Sequence, residues 1–427
     1  MSKWREITFS EVGDICPSNV DKKVVPTEIP IKLCNYMDVY VNRRIVNTLP
    51  FSVGSVKPAE YRKHRLHKND IIITKDSESP DDIGIPAVVT EDIDDLVCGY
   101  HLAYICPKSA DFDGTFIMYA LQTESAVRYF SKMSNGLTRY GLTIGVIERQ
   151  KIVVPCDVNE QKKIAEILTT VDTAIEKTRA LIEKYKNIKT GLMQDLLSNG
   201  IDEYGNIRSP ETHEYKDSPL GMIPVEWDVF TLCELTEKIA DRDHSTPVYV
   251  QQGVFIVSPK DFDEDDYIDF SNCAQITREA HLINSKKTDI RPNDLIFTRI
   301  GAGLGKVCYV RPDMPEFSIL HSAAMIRTNN KILPRLLMYC IKSFYLQKQI
   351  IDGVQSIGVP DLGMDKINLI LVKCPLDRNE QERIQVVLDA ASEKIDTEQD
   401  YLTKLLNIKQ GLMQDLLTHK VPVDVLL

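Results

Sequence analysis

Residues 159–197 read NEQKKIAEILTTVDTAIEKTRALIEKYKNIKTGLMQDLL, and residues 379–417 read NEQERIQVVLDAASEKIDTEQDYLTKLLNIKQGLMQDLL. The two align without a gap at a shift of 220 residues (379 − 159). NEQ and NIK recur, and the heptapeptide GLMQDLL is repeated whole. Self-similarity of this kind marks a duplication, and it restricts the fold before any local reading begins. The match continues upstream: His101-Leu102-Ala103 with His321-Ser322-Ala323, Met118-Tyr119 with Met338-Tyr339, Ile147 with Ile367, and Pro155 with Pro375. With small shifts, NDIIIT (69–74) matches NDLIFT (293–298) and Trp4 matches Trp227. Similarity is weakest over 16–66 and 240–290, so the order is variable region, helix, variable region, helix.

The repeated segments carry the pattern of long helices. Residues 160–197 lack proline, and Ile164, Leu168, Val171, Ile175, Ile182 and Tyr185 recur in steps that place one apolar stripe along a helix. The second copy gives Ile384, Leu388, Ala391, Ile395, Leu402 and Leu405, with Thr178 and Glu398 at the same weak seam position. Asn159 and Asn379 are expected as N-caps after Pro155 and Pro375. Gly191 and Gly411 suggest close helix approach or a bend. About 38 residues at 1.5 Å each make a rod of roughly 57 Å. A rod with a single apolar stripe needs a partner, and the other copy is the matching one. The expectation is an antiparallel coiled coil with a pseudo-twofold axis; core helices of one large domain are the plainer alternative.

The regions between are mixed. DIIIT (70–74), AVV (87–89), KIVVP (151–155), LIFT (295–298) and KVCYV (306–310) predict strands, and Phe116–Met133 and Lys331–Asp352 predict helices. The fold class is therefore α+β: two α/β domains alternating with two long helices. The expected partition is a first domain at 1–155, a helical spacer at 156–200, a polar linker at 201–220, a second domain at 221–375 and a second spacer at 376–427. Trp227, after the turn-forming SPLGMIP, is expected to anchor the second domain.

Composition bounds the function. The ten cysteines are scattered with no C-x-x-C pair, which fits a reducing cytoplasm and argues against a zinc site. No apolar run is long enough to span a membrane, and the start MSKWREITFS has no apolar signal region, so a cytoplasmic location is expected. The net charge of −11 weighs against a uniformly basic nucleic-acid binder and leaves only local basic clusters.

With these features together, the chain resembles the specificity subunits of type I restriction-modification systems, in which two target-recognition domains alternate with two helical regions. The resemblance rests on LGMIPVEW (220–227), NDIIIT and NDLIFT, PCDVNEQKKIAEIL (155–168), CPLDRNEQERIQVVL (374–388) and both GLMQDLL endings, and it covers nearly the whole chain. One departure is TKDSESPDDIG (74–84) where the second copy has the glycine-rich TRIGAGLGK (298–306). The resemblance implies that each domain reads one half of a bipartite double-stranded DNA target and that the helices set the spacing. It also implies two methyltransferase subunits and motor-nuclease subunits as partners. S-adenosylmethionine, ATP and magnesium would belong to those partners, with no cofactor in this chain and no catalysis by it.

Base reading needs Arg, Lys, Asn or Gln at groove edges, and phosphate contacts need cations. In the first domain the candidates are the cluster KPAEYRKHR (57–65), with Lys57, Tyr61, Arg62, Lys63, His64 and Arg65, and the turn NGLTRYG (135–141), with Thr138, Arg139 and Tyr140. In the second they are Lys260, Arg278, Lys286, Lys287, Arg299 and Lys306. The acidic runs EDIDD (91–95) and DFDEDDYID (261–269) are expected to face partners or solvent.

Enzyme readings fare worse. Gly301 to Lys306 lacks the Ser or Thr and the helix that must follow a phosphate-binding loop, so a hairpin or a DNA-facing loop is expected. Glu160-Gln161-Lys162 after Asp157 loosely suggests a nuclease triad, but the second copy has Glu382 in place of the lysine, and helix capping or pairing explains it better. The eight histidines show no ligand spacing, and His101 and His321 are expected to be buried and structural. The rival classes are a coiled-coil scaffold with two protein-binding heads and no DNA contact, and an enzyme fused to a recognition domain.

Overall fold

The computed structural model describes residues 3–243, 247–262, 267–354 and 358–423. The chain packs as two units, Met1–Ala180 with Asp400–Leu427, and Leu181–Gln399. Both long helices form, Val158–Leu196 and Arg378–Leu417, and the expected seam residues are buried or half-buried throughout. The units cut across the expected partition, because each helix is divided between them.

Within the first unit, Ile164 and Leu168 of the first helix share a core with Leu416 and Leu417 of the second, together with Phe116 and Ile152 of the first domain. Further along, Asp172 meets Lys409 at 2.7 Å. The second unit repeats this with the roles exchanged: Leu196 and Leu197 pack with Ile384 and Leu388 around Trp227 and Leu336, and Lys394 lies over the Tyr185 ring at 5.6 Å. As numbering rises on one helix it falls on the other, so the pair is antiparallel. This explains the repeated GLMQDLL. Its final leucines fill the base of the domain that the other helix follows, and the two bases offer the same seat.

Each domain, or head, is built on the same sheet. In the first, Gly13–Pro17, Leu102–Pro107, Ile71–Thr74, Pro86–Val89 and Arg44–Ile45 lie side by side in that order. In the second the order is Thr236–Asp241, Ala323–Thr328, Leu295–Thr298 and Val307–Tyr309. A smaller sheet accompanies each: Ser52–Val56, Ile29–Cys34 and Leu96–Cys98 in the first, and four short strands in the second. Trp4–Thr8 pairs with Lys151–Pro155, and Trp227–Thr231 with Leu371–Pro375, with Trp opposite Pro in both.

The NEQ motif docks helix to head. Gln161 accepts from the Asp113 amide (2.9 Å) and donates to the Asp111 and Pro155 carbonyls (2.9 and 3.0 Å). Gln381 makes the same three bonds to Leu333, Lys331 and Pro375, at 3.0, 2.7 and 2.9 Å. The glutamates take the tryptophan indoles, Glu160 from Trp4 at 3.2 Å and Glu380 from Trp227 at 2.9 Å. Trp227 is the expected anchor, fully buried. A second contact ties Arg44 to Glu176 (2.6 Å) in one unit and the Tyr267 hydroxyl to Asp396 (3.0 Å) in the other.

Several local expectations are corrected. The caps are Asp157 and Asp377, whose carboxylates accept from the amides of Asn159 and Asn379 at 2.9 and 3.1 Å. An anionic side chain at that position also suits the helix dipole. A Cβ on Gly191 or Gly411 would meet no atom, so neither marks close helix approach. The helices expected over 116–133 and 331–352 are each broken into two, Gly114–Ala120 and Glu124–Met133, and Pro334–Lys342 and Phe344–Asp352. At the breaks the Thr123 and Ser343 hydroxyls donate to the Ala120 and Cys340 carbonyls, and both residues take extended backbone angles. His101 and His321 are half-buried rather than buried; His101 takes a positive φ of 67° and pairs with Asp76 at 2.6 Å. The 201–220 segment is more than a tether, since Arg208 within it is buried against Glu380.

Candidate nucleic-acid interface

In each head the central strand carrying the NDIIIT or NDLIFT match ends in a loop, and a second loop lies beside it. In the first unit Asp76–Ser77 pairs with Tyr140–Gly141. In the second, Ile300 bridges Asp361 and the Gly301 amide donates to Pro360 at 2.9 Å. The glycine-rich 298–306 segment is a hairpin turn between antiparallel strands, as expected, with Gly301 and Gly305 at positive φ. Its counterpart differs: 74–84 holds the short strand and a tight turn at Pro80–Asp82.

Around these loops the candidates separate by exposure. Thr138 and Arg139 are exposed on a tip beside Leu137, which is 95% exposed, while Tyr140 is half-buried in the strand pair. The tip requires Gly136, whose φ of 154° brings it against the Arg139 carbonyl.

The 57–65 cluster forms a short helix, Pro58–His64. Lys57, Arg62 and Lys63 are exposed and make no ion pair among the described residues. Tyr61 is half-buried and gives its hydroxyl to Asp95 at 2.6 Å, and Arg65 lies over its ring at 5.7 Å. His64 points inward; burial, and then the neighbouring Lys63, holds its pKa below the ordinary histidine value. Asp95 ties the acidic run 91–95 to this cluster.

In the second head Lys260, Lys286 and Lys306 are exposed and without an ion pair among the described residues. Arg278 is exposed but paired with Glu316, and Lys287 bridges Asp241 and Asp243 at 3.4 and 3.1 Å. Arg299 does not face outward. It is 5% exposed and binds Asp361 at 3.0 Å and the His321 and Leu362 carbonyls at 3.2 and 3.3 Å, so it ties the two loops together from beneath. A cation following a strand reads the same in sequence whether it points out or in. Of the acidic run 261–269, residues 263–266 lie outside the described residues.

Each head thus brings unpaired cations to one domain of an otherwise acidic chain. Cations left unpaired can exchange counterions for phosphates, whereas Arg278 and Lys287 must first release a carboxylate. Among the described residues there is no group of three or more His, Cys, Asp and Glu side chains placed to hold a metal. No helix among them is long and apolar enough to cross a membrane.

Comparison with known proteins agrees with this architecture. The family of the type I restriction modification DNA specificity domain matches residues 1–184. The putative type I restriction enzyme MjaX specificity subunit of Methanocaldococcus jannaschii is 23% identical over 381 residues, covering 87% of this chain and 83% of the relative. The MjaIX specificity subunit of the same organism is 23% identical over 439 residues, covering 99% and 94%. Among solved structures, the S subunit of the type I restriction-modification system from M. genitalium superposes with a TM-score of 0.63 at 17% identity, over 97% of this chain and 96% of that one. Along nearly its whole length, therefore, the chain is similar to the specificity subunits of type I restriction-modification systems, and its residues 1–184 match their DNA specificity domain.

Proposed function

We propose that the chain reads DNA for a type I restriction-modification enzyme, each head taking one half of a bipartite double-stranded target. The observation that carries this reading is the duplication itself: two heads of one fold, each with unpaired cations on its surface. A single-headed binder needs no second copy, and a split site needs two. Helices of 39 and 40 residues at about 1.5 Å per residue are longer than one turn of B-DNA, about 34–36 Å. They are therefore long enough to fix the gap between half-sites.

The helices also suit two copies of one partner. Ile188 and Ile408 of the repeated NIK are 43% and 51% exposed, and they occupy equivalent positions. Two methyltransferase subunits docking there would each meet the same surface, and motor-nuclease subunits would join that assembly. The methyl donor S-adenosylmethionine, ATP and magnesium are assigned to those partners, and the chain is a non-catalytic recognition subunit working in the cytoplasm.

The net charge of −11 favours a second reading, a scaffold whose two heads bind protein. Footprinting of the methyltransferase-bound complex separates the two. Two short protected blocks flanking an unprotected gap are expected; absence of protection, or protection indifferent to sequence, sinks the DNA-reading proposal.

A further inference from the structure

The two heads close one junction with opposite arrangements of charge. Lys75 and Arg299 follow the equivalent strands Ile71–Thr74 and Leu295–Thr298. The carbonyl of each accepts from a leucine amide of the neighbouring loop, Leu142 at 2.8 Å and Leu362 at 2.9 Å. The next residue pairs across to that loop, Asp76 with Gly141 and Ile300 with Asp361. Gly141 and Asp361 stand at the shift of 220. The acid has therefore changed sides: it follows the strand in the first head and sits on the neighbouring loop in the second.

The cations follow the acid. Asp76 accepts from Lys75 at 2.9 Å and pairs with His101 at 2.6 Å, and His101 holds a φ of 67°, a strained setting for a residue with a side chain. Burial raises the Asp76 pKa, but the hydrogen bonds of Lys75 and His101 outweigh it and hold the carboxyl below its ordinary value. A Cβ on Gly141 would stand 3.3 Å from Asp76 Oδ1, so the glycine leaves room for the carboxylate. Arg299 turns inward instead, to Asp361 at 3.0 Å, Asp241 at 3.5 Å and the two carbonyls it bridges. Asp241 lies opposite Ala324 as Cys16 lies opposite Tyr104, so the first head has a thiol where the inward arginine finds its second acid. Charge-assisted hydrogen bonds are directional, and an apolar contact would close the junction without fixing its angle.

We propose that Asp76 and Arg299 are positioning residues for base reading, each fixing the paired loops of its own head, so that the two halves of the target are set by separate pins. This rests on the proposed function. Base edges are read by hydrogen bonds that weaken steeply outside a narrow range of distance and angle, so a loop that shifts loses discrimination. Phosphate contacts carry no sequence information and depend on charge. A pin therefore acts on sequence preference rather than on general affinity for DNA, and on one half-site rather than both.

Asp76→Asn removes the charge of the first pin and keeps its shape. Arg299→Lys keeps the charge of the second and removes the planar fork that reaches several acceptors. Asp361→Asn loosens the same pin more mildly, since the Asp361 side chain is 42% exposed, and it serves where the lysine variant does not fold. Amide hydrogen exchange of the full chain is expected to quicken over 135–141 in the first variant and over 358–362 in the other two; unchanged exchange refutes the pins. In the methyltransferase-bound complex each variant is expected to lose about tenfold in affinity for cognate DNA, as one mismatched base pair would. Its footprint should weaken over one block only, with the salt slope kept. Equal loss over both blocks, a shallower slope or full cognate affinity overturns the positioning role. If the parent complex protects no specific sequence, the proposed function fails, and the exchange rates still decide whether the pins hold the loops.

Discussion

The two tryptophan locks are the same device built with different closure. Trp4 and Trp227 share one register position and each donates to a helix glutamate. The second lock is sealed: Trp227 and Glu380 are each 1% exposed, and Arg208 places two guanidinium nitrogens on the carboxylate. The Ile201 amide adds a further bond at 3.1 Å. Gly200 is part of the seal, with a φ of 70° and no room for a Cβ against Glu380 and Trp227. The first lock is looser: Trp4 is half-buried and its ring is covered by His419 at 4.8 Å. The difference lies in what folds over the indole, the 200–208 segment in one unit and the residues after the second long helix in the other. A hydrogen bond that a half-open site can share with water becomes, when sealed, part of an ion network whose members depend on one another.

The comparison can be broken by substitution, and the chain's two tryptophans report one unit each. Glu380→Ala strands Arg208 as a buried charge, and a loss of about 3–5 kcal/mol is expected. Glu160→Ala should cost less, about 1.5–3 kcal/mol, the range for a hydrogen bond to a charged group. Chemical denaturation followed by the fluorescence of one tryptophan, with the other replaced by phenylalanine, measures both; equal losses would show that closure does not matter.

Gln161→Leu and Gln381→Leu should behave alike, because each glutamine holds the same three backbone groups. At about 1 kcal/mol for each net bond, about 2–3 kcal/mol is expected in either unit. Unequal effects by the same assay would mean that the helix docks differ in more than their tryptophans.

Replacing Arg62, Lys63 and Arg65 with alanine should weaken DNA binding by the assembled complex and flatten its salt dependence, by about 0.9 in slope for each phosphate no longer neutralised. Lys260, Lys286 and Lys306 replaced together should do the same from the second head. A slope that stays unchanged in either case removes that cluster from DNA.

The smallest effect expected is one of pH. His64 is buried with a lowered pKa, so the unfolded chain binds more protons in the interval between the depressed value and about 6.5. Its contribution to stability is therefore present above that ordinary value and is lost as pH falls through the interval. His64→Asn should blunt the acid sensitivity of the unfolding reported by Trp4, and an unaltered pH profile would show that another group is responsible.

Some of this is legible because it is periodic. The apolar stripe, the shift of 220 residues and the proline before each helix identify two long helices and their pairing, since burial along a helix leaves a repeat in the sequence. Trp227 as an anchor is legible for a similar reason: a large ring after a turn has few places to go. The cap lies two residues before the expected position because Asp157 and Asn159 are both good caps, and only the backbone decides between them. Thr123 and Ser343 break helices that read as continuous, because a hydroxyl that bonds back to a carbonyl looks no different in sequence from one that faces water.

The candidate interface is less legible. Lys57, Arg62 and Lys63 prove exposed, yet His64 in the same short helix is buried and Arg299 is enclosed by its own head. By itself the sequence determined the duplication, the antiparallel helix pair and the α+β character of the heads, because these follow from repeats and spacing along the chain. The tertiary structure alone decided which cations face solvent, and that each GLMQDLL completes the core of the opposite head. Burial and pairing depend on residues brought together from distant positions, and a linear pattern does not record those meetings.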